Sequence, residues 1–457
     1  MDNLKISEYI EIQRNYFNSG KTKDINFRIS QLKTLLKLVD ENESRILEAI
    51  SKDLGRHIID SYMGDVGPLK KSINYTIKNL KKWATPKKVH SMTGTKSIIQ
   101  PEPLGNVLII APWNYPFLLL LDPLVGAIAA GNCAILKPSE ITVNTATLLN
   151  ELISSTFEPD YIKVIEGGVE ETKYLLEQKF DHIFFTGSTS VGKIIYQAAS
   201  KNLTPVTLEL GGKSPCIIDE NTDVKITARR IIWGKLFNNG QTCTSPDYVF
   251  VDKKIKEKVI NEFKKCILEF YGENPQVSPH YSRIVNAKNF DRLEALLHEG
   301  RIIHGGKTDR NDLYIEPTII DNISPDFKIM QEEIFGPLLP VFEYENVQEA
   351  IDYINNNQKP LAAYVFTKNK KFYENVVKQT SAGGMSINDT IMHVTSEHLP
   401  FGGVGESGIG KYHGKYSFDT FSNYKSIFIN TFLFDRDILY PPYKLCLKWT
   451  KRVLSLL

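Results

Sequence analysis

The sequence has few cysteines, no long apolar run and no excess of charge of one sign. Its five cysteines, in a chain of 457 residues, stand apart at positions 133, 216, 243, 266 and 446, without a CxxC pair or a Cys/His cluster. This spacing argues against a disulfide framework and a structural zinc site, and free thiols are typical of the reducing cytoplasm. We therefore expect a cytoplasmic protein that holds no metal.

The most apolar stretch runs from Phe117 to Ala130 and is interrupted by Asp122 and Pro123. It is too short to span a bilayer, so a buried helix is the better interpretation. The charged, amphipathic N-terminus lacks the apolar segment of a signal peptide. The 55 basic and 53 acidic residues give a net charge of +2, and this balance calls for no nucleic acid partner.

Apolar periodicity predicts the order of helices and strands. Residues 1–82 show apolar residues at three- and four-residue spacing, as over 26–52, and are predicted to be helical. From residue 104 onward short β-branched runs alternate with helical segments, first in GNVLIIAP, CAILKP, YIKVIEGG, HIFFTG and PVTLELGG. A second series includes SPCIID, DYVFVD, LLPVFEY, LAAYVFT and GGMSIND. Alternation at this spacing predicts an α/β fold with two parallel sheets, each covered on both faces.

Cys243 is the candidate nucleophile. It lies between two threonines in FNNGQTCTSPD, after the predicted helix 223–236. A thiol becomes a strong nucleophile when helix ends or polar neighbours lower its pKa, and we expect such a setting here. A lone cysteine is more often a small buried residue. We accept that interpretation for Cys133 and Cys216, which lie in apolar strands, whereas the polar loop around Cys243 argues against it.

Two polar residues at strand ends are candidates for catalysis. Glu209 lies in an apolar strand before a Gly-Gly turn, where a carboxylate is costly to bury without a task or a partner. A general base that activates water and a structural ion pair explain it equally well on this pattern alone. Asn114, between Pro112 and Pro116, is placed to donate its amide to an oxyanion, although an Asn that satisfies a turn is the default interpretation.

Two glycine-rich segments differ in context. In HIFFTGSTSVGK a strand leads through Gly187 to Gly192 into a helix, whose first backbone N–H groups form an anion site suited to a pyrophosphate. The segment Gly403–Gly408 fits the pattern GxGxxG, but LPFGG precedes it rather than an apolar strand. We interpret that segment as a glycine-rich structural loop.

Taken together, these motifs resemble the aldehyde dehydrogenase superfamily. The matches run in family order over nearly the whole chain: APWNYP, KPSE, FTGSTSVG, ELGGKSP, GQTC, EEIFGP and LPFGGVGESGIG. The similarity is greatest to the class 3, fatty-aldehyde-type branch, on Pro246-Asp247, FSNYKSIF, YPPY and a short N-terminal region. The resemblance implies the aldehyde dehydrogenase fold, with two Rossmann-like parallel-sheet domains and a small β oligomerisation arm, in a homodimer.

The resemblance also divides the chain. It implies an NAD-binding domain over 1–82 and 101–207, and a catalytic domain over 208–391. Segments 83–100 and 392–430 would bridge or oligomerise, and a C-terminal tail would follow over 431–457. The pattern of the segment 84–103 offers it no partner of its own, so we expect it to pack elsewhere, for example on another subunit.

By position, the resemblance implies a role for each candidate. Cys243 attacks the aldehyde carbonyl, the Asn114 side chain and the Cys243 backbone N–H hold the oxyanion, and Glu209 activates the water that hydrolyses the thioester. NAD accepts the hydride, with NADP as the alternative. The implied cofactor contacts are Lys137 and Glu140 at the adenosine ribose, Ser188 in the Gly187–Gly192 turn at the pyrophosphate, Glu333 at the nicotinamide ribose, Phe335 by the ring, and Trp113.

Two features depart from the family pattern or leave a choice. Thr244 and Ser245 after the cysteine are more polar than is usual in the family. Glu140 should repel a 2′-phosphate, although this branch often uses both cofactors.

The tail predicts a substrate class. On a helical wheel over 443–457, basic residues and Ser455 share one arc, and apolar residues with Trp449 cover the rest. This composition is typical of a membrane-surface anchor, although a terminal helix packed on the body or on a dimer partner is slightly favoured. With an anchor, the substrate would be a long-chain, aromatic or isoprenoid aldehyde. The resemblance to some bacterial members offers the terminal aldehyde of a C30 carotenoid, 4,4'-diaponeurosporenal, as a specific candidate.

Three other functions compete with hydrolytic aldehyde oxidation. A CoA-acylating dehydrogenase passes the thioester to CoA and typically lacks the base at the Glu209 position. A catalytically silent binding protein would have lost the cysteine or the cofactor contacts, and none is missing. A plain thiol hydrolase or esterase would leave the dinucleotide-site residues without a purpose.

Overall fold

The computed structural model describes residues 3–92, 94–433, 440–443 and 446–455, and the elements below belong to these residues. The helices are, in chain order, α1 (Asn3–Asn18), α2 (Ile25–Glu41), α3 (Glu43–Leu54), α4 (Ile58–Ser61), α5 (Gly67–Trp83), α6 (Leu118–Ala130), α7 (Val143–Thr156), α8 (Val169–Glu177), α9 (Thr189–Ser200), α10 (Val224–Leu236), α11 (Lys256–Tyr271), α12 (Ala287–Leu296), α13 (Lys328–Gln331), α14 (Val347–Asn356), α15 (Lys370–Gln379), α16 (Lys415–Thr420) and α17 (Leu447–Leu454). The strands are β1 (Lys87–Val89), β2 (Lys96–Pro103), β3 (Asn106–Ile110), β4 (Cys133–Lys137), β5 (Ile162–Val164), β6 (His182–Thr186), β7 (Val206–Glu209), β8 (Pro215–Ile218), β9 (Tyr248–Asp252), β10 (Arg301–His304), β11 (Thr308–Asp309), β12 (Tyr314–Ile315), β13 (Thr318–Asp321), β14 (Leu338–Tyr344), β15 (Ala362–Phe366), β16 (Gly384–Ile387), β17 (Gly408–Ile409) and β18 (Ser422–Ile429).

The N-terminal region is helical, as its periodicity predicts, but the segment 26–52 is divided. α2 and α3 are separated at Asn42, whose backbone leaves helical geometry at φ −116° and ψ 13°. The Asn42 side-chain amide donates to Leu38 O at 2.9 Å and so satisfies one of the last carbonyls of α2. One turn of π-helix, Tyr62–Val66, joins α4 to α5.

The first sheet has six strands in the order β17-β7-β6-β3-β4-β5. Strands β3 to β7 are parallel, and the short β17 runs antiparallel to β7. Strands β3, β4 and β6 are buried along their whole length, as expected for a parallel sheet covered on both faces. The carboxyl ends of β3, β6 and β7 meet at one edge, which brings together Asn114, Ser188 and Glu209. Ligands of open α/β sheets bind at this edge.

The second sheet has seven strands in the order β10-β13-β14-β9-β8-β15-β16. Only β10 is antiparallel to its neighbour in this sheet. Helix α10 follows β8 and leads to Cys243 before the chain enters β9. The predicted α/β architecture with two parallel-sheet units is confirmed.

A third, three-stranded sheet corrects the prediction for the segment 84–103. Its strand β2 pairs antiparallel with β18 of the same chain, from Lys96 opposite Ile429 to Pro103 opposite Ser422. β1 covers the other edge of β2. The segment therefore has a partner within its own chain. The expectation that it lacks one was wrong because that partner lies more than 300 residues away, beyond the reach of a local pattern.

Helix α6 is buried along nearly its whole length, which confirms the interpretation of 117–130 as a buried helix. Asp122 and Pro123 lie inside this helix. No helix among the described residues is long and apolar enough to cross a membrane. In the same described ranges, His, Cys, Asp and Glu side chains form no group of three or more that could hold a metal ion.

Candidate active site

Cys243 lies just after a turn of unusual backbone geometry. Helix α10 ends at Leu236, and Asn238, Asn239 and Gly240 then all have left-handed backbones, with φ of 51°, 57° and 74°. Among residues with a side chain, Asn adopts this conformation most readily, because its short amide can bond to nearby backbone. The two Asn and the Gly before Cys243 thus turn the chain sharply, and the Cys243 side chain is half-buried.

Asn114 and the segment before Cys243 are held together by side-chain amides. Asn114 is 3% exposed, and its Nδ2 donates to Gln241 O at 3.0 Å. In return, Asn238 Nδ2 donates to Asn114 O at 3.0 Å and to Gln241 O at 3.2 Å. The predicted oxyanion donor and the predicted nucleophile are therefore fixed relative to each other.

Glu209, the last residue of β7, is a buried carboxyl without a hydrogen-bond partner. Its side chain is 2% exposed, and neither carboxylate oxygen is bonded to any group that the structure describes. Burial raises the pKa of Glu209 well above its usual range, and the nearby Lys411 ammonium opposes this shift. A structural ion pair would engage these oxygens directly, so the structure favours a group kept free to accept a proton.

The glycine-rich segment Gly403–Gly408 encloses Glu209 rather than a phosphate. β17 begins within it at Gly408, which pairs with Glu209 itself. A Cβ added at the preceding Gly402 would lie 2.6 Å from Glu209 Oε1 and 3.0 Å from Lys411 Cδ. The segment follows no strand of the first sheet and precedes no dinucleotide-type helix, in agreement with its interpretation as a structural loop.

Two cavities meet at Cys243. A cleft of about 710 Å³ is lined by several predicted cofactor residues: Trp113, Gly187, Ser188, Glu333 and Phe335. A second cavity of about 380 Å³ has a largely apolar wall that includes Tyr62, Met63, Leu118, Trp233, Phe237, Ile391, Met392 and Phe401. Both cavities are lined by Cys243, Glu209, Thr186, Leu119 and Leu210. The thiol and the free carboxyl therefore lie where a polar ligand and an apolar ligand would meet.

The helix α9 begins at the wall of the cleft. Ser188 is its N-cap residue, and Ser188 Oγ accepts from Val191 N at 3.4 Å. The remaining N–H groups of this first turn form a site for an anion such as a pyrophosphate. Gly192 does not line the cleft; a Cβ there would lie 2.6 Å from Leu210 Cδ2, so it allows close packing of α9.

Lys137 and Glu140 also lie outside the lining of the cleft. Lys137 is 1% exposed, and its Nζ donates to Pro138 O at 2.8 Å and lies 3.9 Å from Glu140 Oε2. Burial lowers the pKa of the Lys137 ammonium. β4 ends at Lys137, next to the end of β3. Lys137 and Glu140 therefore lie at the same edge of the sheet as the cleft.

Glu333 and Phe335 belong to a loop over the cleft. The Glu333 carboxylate packs on the Cα of Gly211, where any Cβ would overlap it. Burial, and to a smaller extent the neighbouring Asp247 carboxylate, raises the pKa of Glu333 to about 8. Phe335 has a left-handed backbone at φ 51°, and its ring meets that of Trp113 edge-on at 5.4 Å. Such strain in a residue with a bulky side chain is typical of functional sites.

Three charged residues that the sequence analysis did not select as site residues support this loop. Lys213 Nζ binds Asp247 Oδ2 at 2.5 Å, and Asp247 Oδ1 accepts from Ile334 N at 3.1 Å. Arg292 Nη2 donates to Ile334 O at 2.6 Å. Lys213 and Asp247 lie inside the motifs ELGGKSP and GQTCTSPD, so their spacing offered a signal. Arg292 lies on α12, where no local pattern marks it.

The structure corrects the expected pKa of Cys243. We expected polar neighbours to lower it, but burial raises the pKa of the thiol to about 12, and the Glu333 and Glu209 carboxylates act in the same direction. The backbone N–H groups of Cys243 and Thr244 oppose the shift. The thiol is therefore protonated near neutral pH in this state. A nearby base must accept its proton before it attacks a carbonyl.

This arrangement suits one kind of chemistry. A thiol can add to a carbonyl, side-chain and backbone N–H groups can hold the oxyanion, and a free carboxyl can activate water to release an acyl group. The chain belongs to the aldehyde dehydrogenase family, because the sequence model of that family matches residues 2–427. It is an oxidoreductase that acts on aldehydes, and the family predicted from the motifs is confirmed.

Several relatives are similar over nearly their whole length. The 4,4'-diaponeurosporen-aldehyde dehydrogenase of Staphylococcus aureus (strain NCTC 8325 / PS 47) is 50% identical, over 95% of this chain and 96% of its own. Aldehyde dehydrogenase family 3 member A2 of Rattus norvegicus is 50% identical, over 90% and 85% respectively. The dimeric NADP-preferring aldehyde dehydrogenase of Rattus norvegicus is 46% identical, over 96% and 98%. A solved structure, the substrate-bound state of Staphylococcus aureus AldH, superposes with a TM-score of 0.96 at 48% identity, over 98% of this chain and 99% of that one.

Proposed function

We propose that this enzyme oxidises a lipophilic aldehyde to its carboxylic acid, with NAD or NADP as the electron acceptor and Cys243 as the nucleophile. The observation that carries this proposal is the position of Cys243 and Glu209 at the meeting point of the polar cleft and the largely apolar cavity. We assign the nicotinamide end of the dinucleotide to the cleft and the aldehyde to the cavity, so their reactive ends would meet at the thiol.

The residues of the chain account for each step. The Cys243 thiol passes its proton to a nearby carboxylate and adds to the aldehyde carbonyl, while the Asn114 amide and the Cys243 N–H donate to the oxyanion. When bound, the dinucleotide supplies the hydride acceptor that makes the addition product a thioester. Glu209 then takes a proton from water, the hydroxide oxygen adds to the thioester carbonyl, and the C–S bond breaks. The carboxylic acid leaves, the Cys243 sulfur takes its proton back from the carboxyl group that accepted it, and Glu209 releases the proton of the water to solvent.

The dinucleotide would be held by residues of the cleft and of the adjacent strand edge. We assign the pyrophosphate to Ser188 and the start of α9, and the nicotinamide ribose to Glu333. Phe335 and Trp113 would bound the ring, since they form one edge-on pair in the wall of the cleft. Lys137 and Glu140 would take the adenosine ribose, although they lie outside the lining that the cleft has in this structure.

The reaction with water is favoured over transfer to CoA because Glu209 is retained as a free buried carboxyl. We propose NAD as the preferred acceptor, since the half-exposed Glu140 carboxylate would repel a 2′-phosphate. NADP is the alternative acceptor, because one of the relatives is named NADP-preferring. NADH formation at 340 nm with and without CoA, repeated with NADP, tests both choices. Strict dependence on CoA would overturn the hydrolytic reaction.

The apolar cavity and the names of two relatives support a lipophilic substrate, either a long-chain aldehyde or the terminal aldehyde of a C30 carotenoid. Each methylene that enters the cavity should contribute about 0.8 kcal/mol, which is about fourfold in kcat/KM. Across an unbranched aldehyde series we therefore expect kcat/KM to climb steeply with chain length until the cavity is full. The NADH assay with each aldehyde measures this slope, and a flat ranking would contradict the proposal.

We also propose a homodimer. A relative of similar length is named dimeric, and the three-stranded sheet of β1, β2 and β18 is a natural arm for subunit contact. Tyr424, Phe428 and Ile429 of β18 are 42%, 56% and 45% exposed, which is apolar surface that a partner would cover. Light scattering of the purified enzyme should give twice the chain mass. A monomeric mass at micromolar concentration would exclude the dimer.

The tail is proposed to contact a membrane surface. Of the predicted helix over 443–457, the part Leu447–Leu454 is present as α17. Residues 443, 446 and 455 are not helical, and residues 444–445 and 456–457 lie outside the described part of the chain. Leu447 and Trp449 are 70% and 54% exposed, so α17 does not bury them against the body of the chain. Lys448, Lys451 and Arg452 supply the charge that anionic lipids attract.

Liposome flotation tests this membrane contact. Full-length enzyme should float with anionic vesicles, whereas a chain ending at Ile429 should stay at the bottom of the gradient. A matched variant, Trp449→Ala with Lys448→Gln, keeps the tail length and should float several-fold less. Equal flotation of the full and shortened chains would show that the tail packs on protein instead.

A further inference from the structure

We infer that Arg56 and Asp65 are positioning residues, whose buried ion pair fixes the Asn114 turn (residues 112–117) against the segment that carries Cys243. The inference rests on the roles proposed above for Cys243 and Asn114. Neither Arg56 nor Asp65 lines the cleft or the apolar cavity, so any effect on the reaction passes through other residues.

The ion pair is closed to solvent. Arg56 Nη2 binds Asp65 Oδ2, and both side chains are 0% exposed. Arg56 follows α3, and Asp65 lies in the π-helical turn Tyr62–Val66. Such turns recur at functional sites, and a pair of charges is costly to bury unless its contacts offset the lost hydration. Arg56 Nε and Nη1 have no hydrogen-bond partner among the described residues, so the guanidinium is held by Asp65 and by the Tyr115 ring. The contacts of each partner therefore indicate what the pair is for.

Asp65 holds the far end of the Asn114 turn. Its Oδ1 accepts from Phe117 N at 3.1 Å and from Leu118 N at 2.9 Å. Helix α6 starts at Leu118 and has no side-chain cap of its own. A carboxylate from another part of the chain thus serves as its N-terminal cap and fixes the point at which the Asn114 turn becomes a helix.

Arg56 holds the middle of the same turn. Its guanidinium carbon lies 4.9 Å from the centre of the Tyr115 ring. Gly64 approaches that ring too, since a Cβ there would lie 2.8 Å from Tyr115 Cε1 and 3.2 Å from Arg56 Nη1. The ring is therefore confined by the guanidinium and by the backbone of the π-helical turn.

Tyr115 transmits this constraint to the nucleophile. Its hydroxyl is 2.6 Å from Thr242 Oγ1, and Thr242 directly precedes Cys243. Asn114, the neighbour of Tyr115, donates to Gln241 O on the other side of Thr242. Loss of the ion pair would release the oxyanion donor and the thiol together, and a displacement of about 1 Å at reacting groups can slow a reaction about 100-fold.

The test measures hydride transfer separately from stability. In single turnover with saturating NAD and aldehyde, Asp65→Asn should slow NADH formation about 10- to 100-fold. Binding of NAD should change by no more than about twofold, because Ser188, Glu333 and the start of α9 lie in the cleft outside the Asn114 turn and keep their positions. Arg56→Lys keeps the charge but loses the contact of the guanidinium with the Tyr115 ring, and should slow NADH formation in the same way. If Asp65→Asn fails to fold, Arg56→Lys decides the question.

A matched ion-pair variant controls for stability. Asp321 binds Lys256 at 2.9 Å and Arg301 at 3.0 Å in the second sheet, outside both cavities. Asp321→Asn should lower the Tm without slowing single-turnover NADH formation. Folded Asp65→Asn and Arg56→Lys variants with wild-type single-turnover rates would overturn the inference.

A double-mutant cycle tests the route through Tyr115. Tyr115→Phe keeps the ring and removes the hydroxyl contact with Thr242. When Asp65→Asn is added to Tyr115→Phe, hydride transfer should slow by less than about threefold relative to Tyr115→Phe alone, because the contact between Tyr115 and Thr242 is already lost. If Asp65→Asn slows hydride transfer equally with and without Tyr115→Phe, the inference is overturned. Activity that survives in Cys243→Ala would instead contradict the proposed function, so the two failures are distinguishable.

Discussion

Replacement of Cys243 by alanine is expected to abolish NADH formation, with kcat/KM at least about 10⁴-fold below wild type. Without the sulfur no covalent adduct forms, and the aldehyde has no tetrahedral centre from which a hydride can leave. Of the five cysteines, all in the described part of the chain, Cys243 is the one that lines the cleft and the apolar cavity, and Cys133, Cys216 and Cys266 are buried. The 340 nm assay under saturating NAD measures the loss.

The control is Cys446→Ser, which changes an exposed cysteine outside both cavities and should leave kcat/KM unchanged. The pH dependence of the thiol adds a second readout. Because burial and two carboxylates raise the pKa of Cys243 to about 12, its thiolate fraction should rise about tenfold per pH unit from pH 6 to 9. Iodoacetamide alkylation should follow that slope. Activity above about 1% in Cys243→Ala would remove this residue from the mechanism.

Glu209→Gln should separate the two halves of the reaction. Hydride transfer precedes hydrolysis, so the first turnover should still release about one NADH per site. The steady-state rate should then fall about 10²- to 10⁴-fold, since no general base remains to activate water. Gln has nearly the shape of Glu, so the buried site keeps its packing. Stopped-flow absorbance at 340 nm resolves the burst from the steady state.

The pH dependence of the steady-state rate is a second test of Glu209 as the general base. A general base works only when deprotonated, and burial raises the pKa of Glu209 well above its usual range. The steady-state rate should therefore rise with pH through that raised pKa and then level off, and this rise should vanish in Glu209→Gln. Hydroxylamine, which attacks a thioester without help from a base, should restore turnover in the variant. Equal losses in burst and steady state would instead make Glu209 the base for Cys243.

Much of the fold and site follows from local sequence patterns. Strand and helix periodicity predicts two parallel sheets, and the carboxyl ends of parallel strands meet at one edge. For that reason the sequence alone places Asn114, Ser188 and Glu209, each at the end of its own strand, near one another. The turn before Cys243 is also encoded locally, because two Asn and a Gly are residues that adopt left-handed backbones.

Features that depend on distant residues have no such local signal. The partner of β2 lies at the far end of the chain, so no local pattern pairs them. Arg56 and Asp65 are ordinary charged residues in the sequence, and their burial depends on three separate elements that close around them. The raised pKa of Cys243 has the same origin, because it comes from burial and from Glu333, 90 residues later.

The pairing of β17 with β7 sets the order in which the enzyme is completed during synthesis. Glu209 is translated before the middle of the chain, but its strand partner begins at Gly408, and β18 ends at Ile429. A nascent chain that has not yet passed residue 409 lacks the finished sheet edge at Glu209, and one that has not passed residue 429 lacks the complete arm. Contacts of such large sequence separation form late, because the chain entropy of closing long loops opposes them. The reactive thiol of Cys243 is therefore synthesised 165 residues before Gly408, where the strand that completes the sheet edge at its base begins.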